Sequence, residues 1–231
     1  MPAEPNGHLV HLSQLIERYC SPEWKGLLRA QNTQLDVDRG QPVFMDGQVA
    51  DRMYMIHRGR VKVVARQGKS LERIIRLAGD GEALGHRGIG DDPVYTASAI
   101  ALSPTRVNVI PMPLFLSTLK ANNLFCYHFL LYFAAELCVL DQHLRDLMTM
   151  DVAQRVAKVI LLCRSTFGSD TKDPRKLAFT LPRRDIASMA DTTYESVIRT
   201  LGHFEKQGLI ALSGKEIIIR RGRELEKAMR G

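Results

Sequence analysis

The spacing of apolar positions changes three times along the chain. Residues 9–30 carry a helical pattern, Leu9, Leu12, Leu15, Ile16, Tyr19, then Trp24, Leu27 and Leu28, broken at Ser21-Pro22. Pro22 sits where a second helix can begin, because the missing N–H costs nothing at the first helical position. From about Gln34 to Ile110 the texture is that of short strands: QLDVD, PVFM, RMYMIHR, RVKVVAR, LERIIRL, TASAIAL and RVNVI. Turn signals separate them at Arg39-Gly40, Asp46-Gly47, Arg58-Gly59, Gln67-Gly68-Lys69 and Ala78-Gly79-Asp80-Gly81. Many short strands with regular turns predict a closed or double-sheet antiparallel unit, a barrel or jelly roll. Its interior either holds a small ligand or is filled by side chains. Pro111 and Pro113 close this unit, and MPLFLSTLKANN starts a short helix.

A long helix follows. Cys126, Leu130, Phe133, Leu137, Leu140, Leu144 and Leu147 step by 4, 3, 4, 3, 4, 3, the a/d seam of a coiled coil kept for three heptads. Leu131, Ala134, Ala135, Cys138 and Val139 add a second apolar face, expected to pack on the same subunit, and from Asp141 on the flanks are polar. A core helix of one globular domain is the plainer account, but such helices rarely hold a 3.5-residue period this long. The pattern favours a dimerisation spine, residues 124–150, between a first domain (1–123) and a last one (151–231). Asp151 is a plausible N-cap for a helix over Val152–Cys163, and residues 165–176 read as a polar loop.

Residues 182–207, PRRDIASMADTTYESVIRTLGHFEKQ, predict two helices joined by a tight turn. The first runs from Pro182 to Met189 or Ala190, the turn is Asp191-Thr192-Thr193, and the second runs from Tyr194 to Gln207, ended by Gly208. Ile186, Met189, Val197 and Leu201 fall where crossed helices bury side chains, Ala187 is small at their closest approach, and Asp191 tolerates a left-handed turn. This is a helix-turn-helix. Its geometry presents Thr192, Thr193, Tyr194, Glu195, Ser196 and Arg199 to a DNA major groove. Arg can bind guanine bidentately and Glu can accept from cytosine, whereas Thr and Ser more often hold phosphates. Glu195 and Arg199 are also spaced to form a surface ion pair. LIALS and EIIIRR, around Ser213-Gly214-Lys215, make a two-stranded wing with Lys215, Arg220 and Arg221 available for phosphates.

Charge sharpens this picture. The net charge is +7, and residues 152–231 hold 16 Lys and Arg against 9 Asp and Glu, while residues 1–151 balance at 16 each. The excess is an electrostatic footprint for a polyanion. At 231 residues, 45% hydrophobic and 25% charged, the composition is that of an ordinary soluble protein with one large or two smaller domains. No apolar run approaches the roughly 20 residues of a membrane span, and MPAEPNGHLVHL lacks the basic start and apolar core of a signal peptide. Cys20, Cys126, Cys138 and Cys163 form no CxxC pair and read as reduced thiols of a cytoplasmic protein. No HxH metal pattern, nucleophile elbow or Walker loop occurs, so nothing points to an enzyme.

The stretch GHRGIGDDPVY, residues 85–95, interrupts the strand rhythm. Backbone N–H groups at Gly85, His86, Arg87 and Gly88 could form an anion nest with Arg87 as countercharge. A glycine-rich turn with an exposed Arg is the other account.

The order of parts resembles the cyclic-AMP receptor protein/FNR family of bacterial transcription regulators, from about Leu12 to Ile219. The most specific match is Tyr194-Glu195-Ser196-Val197-Ile198-Arg199, followed by Leu201 and by Phe204-Glu205-Lys206-Gln207-Gly208-Leu209-Ile210. A second is the run from Asp51 to Val63, DRMYMIHRGRVKV. The resemblance implies an α+β chain with an N-terminal antiparallel, cyclic-nucleotide-binding-like β-roll, a long dimerisation helix and a C-terminal winged helix-turn-helix. It further implies a homodimer joined through residues 126–147 that binds a pseudo-palindromic double-stranded DNA operator in the cytoplasm, with RNA polymerase as a further partner and no membrane. Cyclic-AMP binders of the family carry Gly-Glu in the phosphate loop and Arg-Ser about ten residues later. Here those positions read Gly85-His86-Arg87 and Tyr95-Thr96, which argues against cyclic AMP. With only Cys20 near the N-terminus, an iron–sulfur cluster is not expected either. Tyr194 replaces a second base-reading Arg, so the preferred half-site should differ. Haem remains the alternative cofactor, with His57, His86, His128 or His143 as an axial ligand in a nitric oxide or redox sensor. A ligand-binding module whose helix-turn-helix serves protein contacts is the alternative of another class.

Overall fold

A computed structural model describes residues 11–67 and 71–231. The first ten residues, with Leu9 and the leader reading, and the Gly68-Lys69 part of one predicted turn lie outside the described residues. The chain forms two compact units, one ending at Val139 and one running from Leu140 to Gly231, so the division falls inside the long helix.

The first unit opens with helices α1 (Leu12–Tyr19) and α2 (Pro22–Ala30), the latter started by Pro22 as its sequence predicts. Eight strands follow: β1 (Thr33–Val37), β2 (Pro42–Phe44), β3 (Arg52–Arg58), β4 (Val61–Gln67), β5 (Leu71–Ala78), β6 (Ala83–Leu84), β7 (Ser98–Ala101) and β8 (Thr105–Pro111). They pair as two four-stranded antiparallel sheets, ordered β1-β8-β3-β6 and β2-β7-β4-β5, a double-sheet roll. Strand β6 has only two residues, too few to show a period, and the sequence pattern does not foresee it.

Strand β3 shows how the roll is sealed on both faces. Tyr54 and Ile56 point into the interior with Phe44, Val61, Tyr95 and Val107. Met53 and Met55 point the other way, to a second cluster with Leu12, Ile16, Ile110, Phe115, Phe125 and Phe129. The period of two thus delivers one strand to two cores. At the β3–β4 turn Gly59 has φ of 140°, and an added Cβ there would lie 2.3 Å from Thr105 Oγ1. Only glycine fits.

Helix α3 (Met112–Ala121) leads into α4 (Asn123–Thr149). The face that α4 packs on its own subunit differs from the expected one. Phe125, Phe129, Tyr132 and Glu136 are buried, whereas Ala134, Cys138 and Val139 are exposed and Leu131 and Ala135 are half-buried. The large rings fill the space beside Phe115, which small side chains at 134 and 138 could not. Of the predicted seam, Cys126, Leu130, Leu137, Leu140 and Leu144 are exposed, Leu130 at 64%, whereas Phe133 and Leu147 are half-buried and Phe133 packs on the second cluster; Met148, outside the seam, reaches 86%. Helix α4 also corrects the expectation about apolar runs. An 18-residue window of it averages a hydropathy of 1.5, which in length and composition suits a membrane span despite the interspersed polar residues.

In the second unit, α5 (Val152–Phe167) begins at a capping box in which Asp151 accepts from Gln154 N and the Gln154 side chain accepts from Asp151 N. It runs four residues beyond the predicted end, into the stretch read as loop. Helices α6 (Arg183–Met189) and α7 (Tyr194–Lys206), the hairpin β9 (Ile210–Ser213) with β10 (Glu216–Ile219), and a further helix α8 (Gly222–Arg230) complete it. Val156, Ile160, Ile186, Val197, Leu201, Phe204, Ile217 and Leu225 are buried there.

Candidate nucleic-acid interface and effector site

Helix α6 starts after Pro182 and stops at Ala190, and Asp191 then turns the chain with a φ of 48°. Thr192 N donates to Ala187 O at 3.0 Å, closing the turn. Thr193 is the N-cap of α7, its hydroxyl accepting from Ser196 N at 3.2 Å. Ile186, Ala187, Met189, Val197 and Leu201 are buried at the crossing, as their spacing predicts.

The outward face of α7 begins with exposed Tyr194 and Glu195, and Arg199 follows one turn on; Ser196 and Thr192 are half-buried. Among the described residues no ion pair joins Glu195 to Arg199. The Arg199 guanidinium instead donates to Ser196 Oγ at 3.2 Å, leaving the Glu195 carboxylate to solvent. The wing turns at Gly214, with φ of 58°, which leaves Lys215 exposed at the tip; Arg220 and Arg221 are exposed at the end of β10. Glu205 ties the wing to α7 by accepting from Leu212 N at 2.8 Å, and Arg183 donates to Lys215 O at 3.2 Å.

Arg155, on α5, was not singled out by its sequence context. Its Nη1 donates to Met150 O at 2.6 Å, its Nε to Ala190 O at 2.7 Å and its Nη2 to Asp191 O at 3.4 Å. One guanidinium thus fixes both the start of α5 and the turn before α7. A short VAQRVAK segment carries no sign of this, because the partners are backbone carbonyls.

The loop proposed for an effector is packed more tightly than an open nest. Gly85 has φ of 80° and starts one turn of 3-10 helix, His86–Gly88. A Cβ on Gly88 would lie 2.3 Å from Ala50 Cβ, and one on Gly85 would lie 3.1 Å from Tyr95 Cε1. Tyr95 stacks on Phe44 at 4.0 Å between centroids and donates to Arg52 O at 2.7 Å, so it fills the roll interior. Burial raises the Tyr95 pKa above its ordinary value. Thr96 points outward and is exposed. The structure therefore brings Gly85, Gly88 and Tyr95 together, turns His86 inward, and leaves Arg87 at the rim.

His86 meets a residue the sequence reading passed over. Its Nε2 lies 2.9 Å from Glu136 Oε2, and Arg87 Nε is 3.3 Å from the same oxygen. Tyr132 OH donates to Glu136 Oε1 at 3.1 Å, and Arg76 Nη1 stands 3.5 Å away. Of the other histidines, His57 is exposed, His128 stacks on Tyr19 at 3.6 Å, and His143 is half-buried, its pKa lowered by burial and by Lys158.

Residues 34–122 match the cyclic nucleotide-binding domain model and residues 154–228 the Crp-like helix-turn-helix domain model. The chain is 31% identical over 185 residues to the nitrogen fixation regulation protein FixK of Azorhizobium caulinodans, covering 79% of this chain and 73% of that one. The chain belongs to the CRP/FNR family of transcription regulators. Like its relatives in the CRP/FNR family it is a regulator and not an enzyme. It is also 28% identical over 203 residues to a CRP-like cAMP-activated global transcriptional regulator of Mycobacterium tuberculosis, 88% of this chain and 91% of that one. In fold it is similar to FixK2 from Bradyrhizobium japonicum, with a TM-score of 0.76 at 20% identity, over 85% of this chain and 96% of that one.

Proposed function

We propose that this CRP/FNR-family chain is a homodimer that reads a pseudo-palindromic DNA site with two copies of α7, and that its effector is not cyclic AMP. The observation that carries the dimer is the exposed seam of α4. Leu130, Leu137, Leu140 and Leu144 form one apolar stripe in water, and a stripe of that length at heptad spacing is covered by a second copy of itself. Two α7 helices related by the dimer axis then enter successive major grooves about one DNA turn apart.

Arg199 is the proposed base reader, with Glu195 beside it, and Thr192, Thr193, Tyr194, Ser196 and Lys215 flank it for phosphate and further base contacts. Against cyclic AMP stand His86 and Tyr95. By the family motif, His86 stands at the ribose-binding Glu and Tyr95-Thr96 at the phosphate-binding Arg-Ser, and both His86 and Tyr95 are engaged inside the protein. The mycobacterial relative is by its name cAMP-activated, and the different reading for this chain rests on these two residues.

Selection from a random duplex pool tests the proposal. A two-fold-symmetric site should emerge, and Arg199→Ala should relax one base position per half-site at a cost of about 1–3 kcal/mol. A winner without symmetry, or an Arg199→Ala variant with unchanged base preference, would refute it.

A further inference from the structure

One carboxylate of the first unit sits among the groups that would hold an anion. Glu136 is 4% exposed, and Arg76, His86, Arg87 and Tyr132 all face it. Arg76 also pairs with Glu82 at 2.9 Å. His86 belongs to the Gly85–Gly88 turn, the stretch whose sequence reads as an anion nest. Its ring is packed edge-on against Tyr132 and Phe133.

Charge balance decides what this cluster can accept. Burial lowers the His86 pKa, against the opposing pull of Glu136, so the ring is neutral at neutral pH and donates Nε2–H to Glu136. Its Nδ1 is then a buried acceptor without a partner among the described residues. Two arginines face two glutamates, and the cluster sums to zero. An added phosphate would be an uncompensated buried charge, which is strongly unfavourable unless Glu136 leaves.

We infer that Glu136 is the resident ligand of the roll's anion site: the chain's own carboxylate stands where a small anionic effector would, and holds α4 to the sensor roll. Glu136 lies beside the seam, three residues from Phe133 and one from Leu137, so its bonds set the rotation at which the first unit's part of α4 presents Leu137. The protein is therefore competent for DNA without a small anion. This last consequence rests on the DNA-binding reading above; the site assignment does not.

The test uses the full chain, freed of nucleotide, with inorganic phosphate and cyclic AMP as probes at constant ionic strength. Neither should move the thermal midpoint of the wild type. Glu136→Gln keeps the shape, removes the charge and leaves the cluster one positive charge in excess. Phosphate should now raise its midpoint, and adding Arg87→Gln should abolish that response. On the selected duplex Glu136→Gln should bind about tenfold more weakly than nucleotide-free wild type, the scale of a modest coupling. A wild type stabilised by phosphate as much as Glu136→Gln overturns the inference, as does a wild type that binds the duplex only when nucleotide is added. Should Glu136→Gln fail to fold, Arg87→Met at a side chain 42% exposed reads the same link. Weaker DNA binding at a nearly unchanged midpoint is expected, and unchanged binding overturns it. If no duplex is ever enriched, the DNA reading fails and the phosphate response alone decides the site.

Discussion

A carboxylate beneath a β-roll is tolerated only where donors replace the water it loses. For Glu136, burial alone would raise the pKa, but the His86 bond and the charges around it, with Arg76 and Arg87 the permanent ones, bring it from 4.5 down to about 2. Between those values the unfolded chain binds more protons than the folded one, so stability rises with pH across the window. The contribution is present above about pH 4.5 and lost as pH falls toward 2. His86, with its pKa lowered by burial, acts in the same direction below its ordinary 6.5. Thermal midpoints followed against pH should fall on acidification in the wild type and fall less between pH 4.5 and 2 in Glu136→Gln. An identical slope in both would show that Glu136 is not the titrating group. Arg155 makes a second prediction at this scale. Arg155→Ala leaves two or three carbonyls without their donor, at about 1–3 kcal/mol of stability. Arg155→Lys should not restore it, because one ammonium cannot span Met150 and Ala190 as the planar fork does. Neither residue was visible in the sequence for a physical reason. A lone acid on an amphipathic helix reads as surface, and the partners His86 and Arg76 lie 50 and 60 positions away.

At the scale of elements, legibility followed how local the determining chemistry is. The helix-turn-helix and its wing were readable because their signals sit within a few residues of what they determine: Pro182 before α6, Asp191 in the turn, Thr193 ahead of α7, Gly214 in the hairpin. The roll strands were readable from alternation and turns, except two-residue β6. The inner face of α4 is not legible from apolar counting, which favours Ala134, Cys138 and Val139, whereas the space against Phe115 calls for the rings of Phe125, Phe129 and Tyr132. The cap of α7 offers a direct check. Thr193→Ala removes the acceptor for Ser196 N and should cost about 1 kcal/mol of stability, read from chemical denaturation of the full chain. Thr193→Ser should recover most of it, and a variant as stable as wild type would show that the cap is not formed in solution.

At the scale of the molecule, three separate properties converge on one account. The excess positive charge is confined to residues 152–231, the exposed outward face of α7 proposed to meet DNA lies in the same segment, and α4 shows water an apolar stripe at heptad spacing. A regulator that neutralises several phosphates with Arg and Lys releases counterions, so its affinity for the selected duplex should fall steeply as salt rises. A flat salt dependence would instead favour a helix-turn-helix used for protein contacts. In the proposed regulator, dimerisation would turn two modest half-site contacts into one specific complex. It is tested most directly by the mass of the protein–DNA complex in sedimentation, for wild type and for Leu137→Asp with Leu144→Asp. Both leucines are exposed in the single chain, so the variant should fold. Two wild-type chains per symmetric duplex, and a monomeric variant that binds it far more weakly, are the predicted results. A monomeric variant that binds the full site as tightly as wild type would contradict the account.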